Sequence, residues 1–104
     1  MKSITEDVTV ADGEETTADV ITGREGVRRT IKSVWFEQND QTNLVAYIDQ
    51  ERVVQVGSEV AQADYMPVPV DRELEDGQTF SVGFANSSGS SVTAKASVFF
   101  DEER

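Results

Sequence analysis

Residues 79 to 100 read TFSVGFANSSGSSVTAKASVFF, with an apolar residue at every second position, a break at a run of Asn, Ser and Gly, and then the same alternation again. A period of two is the repeat of a pleated strand with one buried face, and an α-helix, with its period of 3.6, does not produce it. Residues 79–86 and 92–100 are therefore expected as two strands of a hairpin. The same grammar recurs upstream at short intervals. Segments 4–10 and 18–22 read as strands around Ala-Asp-Gly-Glu-Glu (11–15), where Asp12-Gly13 is a turn dipeptide. Residues 28–37, RRTIKSVWFE, form the richest β-branched and aromatic run of the first half. A turn at 39–43 leads to 44–48 and 52–56, which pair as a hairpin around Asp49-Gln50-Glu51.

Residues 58–65 fit either a short helical turn capped by Ser58 or a strand entering 66–70. Pro67 and Pro69 exclude a central strand and place that segment at a sheet edge or in a crossing between sheets. Residues 72–78 read as a polar connection. The expectation is an all-β chain: a two-sheet antiparallel β-sandwich, jelly-roll-like, of about eight strands, with an immunoglobulin-like sandwich as the alternative. At 104 residues one domain spans 1–104, with 1–3 and 101–104 as flexible ends.

The strand faces define candidate core and candidate contact residues. Val92, Ala94, Ala96, Val98 and Phe100 share one face, as do Phe80, Val82 and Phe84, so these line the core. Val34 and Phe36 also point inward, with Leu44, Ala46 and Ile48. A bulge near Lys32 accounts for a charge that otherwise falls in phase with the core. Four large residues fall on the outward faces of this very polar chain: Ile31, Trp35, Tyr47 and Phe99. They are the candidate interface residues, because outward aromatics are the usual core of a subunit contact. Cover by a loop or by the N-terminal strands is the alternative.

Charge narrows the function classes. Twenty Asp and Glu face nine Lys and Arg, a formal charge of −11, and only three of the nine are Lys. Such a surface repels itself in dilute salt and is screened at molar salt, where the Debye length falls to about 3 Å. The balance points to a halophile. Nucleic acid is disfavoured for want of a basic patch. There is no membrane-length apolar run and no secretory leader, which leads us to expect a soluble chain with no membrane partner.

Chemistry finds little to use. The chain has no His and no Cys, so a neutral-pH base and thiolate chemistry are both missing. Its paired carboxylates (Glu6-Asp7, Glu14-Glu15, Glu75-Asp76, Glu102-Glu103) read as solvated surface, without the spacing of a calcium loop. We expect no catalytic residue, no cofactor and no resident metal. Asn86-Ser87-Ser88 matches the N-glycosylation pattern, but a hairpin turn explains it better.

LVAYID..RV, MPVPV...L..GQTFSVGFANSSGS and the closing strand ending VFF resemble the small β-sandwich decoration and turret proteins on the heads of tailed viruses, over roughly 28–100. VTVADGEE and GREGVRR resemble the strand and loop that precede. With the acidic surface, the resemblance implies a virus of haloarchaea. It implies a non-enzymatic virion structural protein, packing as copies of itself, a trimer, on the major capsid protein lattice. Its place would be the capsid exterior, after assembly in the host cytoplasm. Two other classes remain open: a carbohydrate-binding or adhesin module using Trp35, Tyr47 and Tyr65, and a host-encoded acidic domain with a regulatory partner.

Overall fold

The computed structural model describes residues 1–37, 41–56 and 67–104. The expected features at 58–65, with Tyr65, lie outside these, as do the first two residues of the turn at 39–43. The described residues form eight strands and no helix: β1 (Lys2–Val10), β2 (Glu15–Thr22), β3 (Arg28–Phe36), β4 (Thr42–Ile48), β5 (Glu51–Val56), β6 (Val68–Leu74), β7 (Thr79–Asn86) and β8 (Val92–Glu103). Two four-stranded antiparallel sheets result, in the orders β1-β8-β3-β6 and β2-β7-β4-β5.

The pairing follows one rule. β1 pairs with β8, β2 with β7, β3 with β6 and β4 with β5, so the chain is a single ribbon doubled back on itself at the β4–β5 turn. Additional pairing of β3 with β8 and of β4 with β7 closes the ribbon into two packed layers. This is the strand order of a jelly roll.

The 79–100 segment is consequently not a hairpin. β7 and β8 lie in different sheets, and residues 87–91 form a corner between layers. Two alternating strands joined by a short polar turn serve either purpose, because each half has one buried face in both arrangements. Only 44–56, of the two hairpins expected, pairs as one.

The core lies between the sheets. Phe80, Val82 and Phe84 of β7 meet Ala94, Ala96, Val98 and Phe100 of β8, with Val34, Phe36, Leu44, Ala46 and Ile48, as their alternation requires. Each fully buried Phe contributes about 1.5–3 kcal/mol over its exposed state.

Register shifts mark where alternation fails. One lies between Ile31 and Ser33 in both pairings of β3: against β8 it leaves Lys32 as the extra residue, and against β6 the extra residue lies on β6, between Pro69 and Arg72. The bulge turns Lys32 out of the core, where its Nζ stands 3.6 Å from a carboxylate oxygen of Asp71. Asp71 itself has a left-handed backbone, φ 50°, within the irregular stretch of β6 opposite. That irregularity explains why β6 continues through Arg72 and Glu73, expected as connection, to the buried Leu74. β6 is a sheet edge, as Pro69 within it requires.

The chain ends are paired. Lys2 stands opposite Phe100, and β8 continues to Glu103 opposite Arg28. The expected flexible ends at 1–3 and 101–104 are thus largely strand, held by ion pairs. Glu102, in phase with the core, accepts from Arg29 Nε at 3.0 Å and from Lys2 Nζ at 3.1 Å.

Candidate functional site

The bulge at Lys32 decides which candidate contact residues share a surface. An extra residue reverses the parity of a strand, so Ile31 and Val34, three apart, both face inward. Ile31 is fully buried in the core, 0% exposed, and does not belong to an outer surface. Trp35, beyond the bulge, does face outward and is 36% exposed; apart from Met1 it is the most exposed large apolar side chain among the described residues.

Phe99 faces outward from β8 on the same sheet. Ser33 stands opposite Phe99 and Trp35 opposite Ser97, so the two rings are diagonal neighbours. Their centroids lie 5.6 Å apart with the planes tilted by 50°, within the favoured range for an aromatic pair.

The surface around this pair is polar. Between β1 and β8, Thr5 shares a 2.8 Å hydrogen bond with Ser97, Thr9 shares one of 2.8 Å with Thr93, and Lys95 Nζ lies 3.6 Å from Asp7. A groove of about 240 Å³ runs beside the indole, lined by Trp35, Phe36, Glu37, Lys95 and Ser97. Glu37 donates its backbone N–H to the Lys95 carbonyl at 2.9 Å, which fixes the groove's two walls. An apolar ring thus stands with an ammonium, a carboxylate and a hydroxyl beside it.

Tyr47 is on the opposite side of the molecule, on the outer face of the other sheet. Its hydroxyl donates to Glu15 Oε2 at 2.6 Å. Tyr47 stands on β4 and Glu15 on β2, so this hydrogen bond spans β7, which lies between them and carries Gly83 opposite Thr17. A Cβ at Gly83 would overlap the carbonyl of Thr16, so the strands approach more closely there than any other residue permits. Arg52 on β5 completes the network. Its guanidinium lies 5.5 Å from the Tyr47 ring centroid and donates to Glu15 Oε1 at 3.2 Å and to Gln55 Oε1 at 2.9 Å. The hydrogen bond to Tyr47, with a smaller effect from Glu15, raises the Arg52 pKa and keeps it cationic. Tyr47 is thus engaged within its own sheet, and the four candidates separate into one surface pair, one opposite-face tie and one core residue.

Asn86 is a corner post. It is 2% exposed, its Nδ2 donates to the carbonyls of Val10 at 2.9 Å and Ser90 at 2.7 Å, and its Oδ1 accepts from the Ser88 N–H at 2.9 Å. A side chain so placed offers no nitrogen to a glycosyl donor in the folded state. The alternation-breaking Asn-Ser-Ser is a turn, and Gly89 N–H to Asp12 Oδ1 at 2.9 Å binds this corner to the 11–14 one.

At the far end a depression of about 550 Å³ is lined by Arg24, Arg28 and Arg104 together with Glu25, Glu73, Glu75, Asp76 and Glu103. Arg28 is held between Glu73 at 3.6 Å and Glu103 at 3.7 Å. Glu102 nearby has its pKa held below the usual carboxylate range, first by the hydrogen bond from Arg29 and then by that from Lys2. It stays ionised and committed, unsuited to acid catalysis. Among the described residues no group of carboxylates is placed to hold a metal ion, and no buried side-chain polar atom lacks a partner. Comparison of the chain with protein-family models, with curated proteins and with solved structures finds no match.

Proposed function

We propose that this protein is a non-enzymatic virion structural protein, a decoration or turret protein that packs as a symmetric oligomer on the capsid exterior of a tailed virus of a halophile. The observation that carries the reading is the Trp35–Phe99 pair, two large rings held outward on a sheet whose other outward side chains between β1 and β8 are hydroxyls and charges. Interface cores are enriched in aromatics, and a stable contact buries about 800 Å² per partner around such anchors. Jelly rolls build capsid and lectin domains alike, so the fold supports the reading by analogy only. The charge supports a salt-rich setting and disfavours nucleic acid. The partners in this reading are other copies, as a trimer, and the major capsid protein lattice.

The groove beside Trp35 favours a second reading, a carbohydrate-binding or adhesin module. An indole face with Glu37, Lys95 and Ser97 around it offers ring stacking and hydrogen bonds to one sugar unit.

Light scattering at near-saturated salt, with circular dichroism alongside, separates these. The proposal expects a discrete multiple of 11.4 kDa for the unaltered chain, falling to the monomer in Trp35→Ser and Phe99→Ser with an unchanged spectrum. A folded monomer at every salt step overturns it. Glycan-array binding lost in Trp35→Ser, with the mass unaffected, establishes the second reading instead.

A further inference from the structure

Four strands form the sheet edges: β1 and β6 in one sheet, β2 and β5 in the other. An open edge is a row of unpaired N–H and C=O groups that recruits another strand unless something blocks it. Three of the four are blocked by irregularity. β6 carries Pro69 and the left-handed Asp71, β2 has a register shift between Asp19 and Ile21, and β5 is out of step where Ala46 and Tyr47 pair with it. β1 differs. Its nine residues pair with β8 without a shift, and it contains no Pro, no Gly and no left-handed residue.

The protection on β1 is of another kind. Its core-facing row is Lys2, Ile4, Glu6, Val8 and Val10, so two charges stand where apolar residues would be expected. Inward charges on an edge repel an arbitrary strand. These two have opposite sign and stand symmetrically about Ile4, which makes the row complementary to itself.

We propose that β1 is a two-fold docking edge for a second copy of this chain, paired antiparallel about Ile4. In that register Lys2 faces Glu6 of the second copy, twice over, Ile4 faces Ile4, and Ser3 faces Thr5. Registers one residue away would turn the core row to solvent. Among those that keep the faces, centring on Thr5 sets Ile4 against Glu6, and centring on Glu6 sets two carboxylates against each other. Centring on Ile4 alone pairs both charges of the core-facing row with their opposites. It also completes the cover of Ile4, which packs against the core but is only half-buried in the monomer. On the outer face, Thr5 already shares a hydrogen bond with Ser97. A hydroxyl both donates and accepts, so Ser3 of the second copy extends that ladder across the junction. The two copies then share one continuous eight-stranded layer.

Two chains of charge −11 repel each other, so the contact strengthens as salt screens that repulsion. The inference rests on the proposed assembly only in needing a second copy within reach, and it uses a different surface from the aromatic pair.

Disulfide trapping reads the register directly, because the chain has no cysteine of its own. Residues directly opposite across an antiparallel pair have Cβ atoms about 4.5–5.5 Å apart, close enough to cross-link with small shifts. Under copper phenanthroline at high salt, Ile4→Cys is expected to give a covalent dimer. Ser3→Cys and Thr5→Cys, each alone, should stay monomeric, while an equimolar mixture of the two cross-links. The same result is expected in a Trp35→Ser background, so failure of the aromatic contact and failure of this one are told apart. No dimer from Ile4→Cys or from the mixture, with circular dichroism showing folded chains, overturns the proposal. So does cross-linking of the single variants as readily as the mixture.

Discussion

Glu102 shows how a charge is kept in a row that otherwise faces the core. It follows Val98 and Phe100 in phase, and a lone carboxylate there would be costly. Arg29 and Lys2 flank it on the two neighbouring strands, so the ionised form is the favoured one and its pKa lies below the ordinary range. Because the folded pKa is depressed, the unfolded chain takes up the proton first as pH falls. The stabilisation is therefore present above the ordinary carboxylate pKa, about 4.3, and is lost as pH drops through the lower folded value. Glu102→Gln is expected to unfold at lower urea than the parent at pH 7, with the difference shrinking steadily as pH falls below about 4. A difference independent of pH would mean that packing, not charge, is what Glu102 supplies. At this scale the sequence was legible in part. Alternation places both Trp35 and Phe99 outward, Phe99 in the run of β8 and Trp35 in the part of β3 beyond the bulge. Alternation alone sets Ile31 outward with Trp35, but the bulge at Lys32 reverses the parity between them and turns Ile31 inward. Tyr47 is expected on an outward face and lies on one; its tie to Arg52 follows from the 44–56 hairpin, which sets the two opposite each other, whereas Glu15 is far away in sequence and no local pattern announces it.

Elements were easier to find than to connect. The strands emerged from period-two patterning, but the partner of each strand is set by which layer it enters, and a turn of five small polar residues serves a hairpin and a corner equally. Asn86 makes the corner at 87–91, since its amide spans the end of β1 and the turn itself, a role visible only once both are in place. Gly83 carries the closest approach between β2 and β7. Gly83→Ala must push Thr16, and β2 with it, away from β7 or distort β7, an overpacking cost of about 1–3 kcal/mol. A urea midpoint lowered accordingly, with an unchanged m value, is the expected result. An unaffected midpoint would show that β2 moves aside freely.

For the whole molecule, charge is the controlling quantity. All three lysines and Arg28, Arg29, Arg52 and Arg72 are already in ion pairs, so the surplus carboxylates face one another with few cations between them. The screening length falls from about 10 Å at 0.1 M salt to about 3 Å at 1 M, a range that spans the spacing of neighbouring surface carboxylates. The thermal midpoint is expected to rise across that range in KCl and to level off above it. A midpoint that falls with KCl would assign stability to the ion pairs and remove the charge argument for a salt-rich habitat.

The nested pairing of strands has a kinetic meaning. β4 and β5 are joined by two residues, whereas Lys2 and Phe100 meet only after nearly the whole chain has been brought round. Loop-closure entropy favours the shortest loop first. Once the β4–β5 turn is formed, each outer pair is delivered close to register by the pair inside it, like the teeth of a zip. Folding is then expected to begin at the middle of the sequence and finish at its two ends, slowly, as for other chains dominated by distant pairings. The edge of β1 would be the last part of the surface to exist.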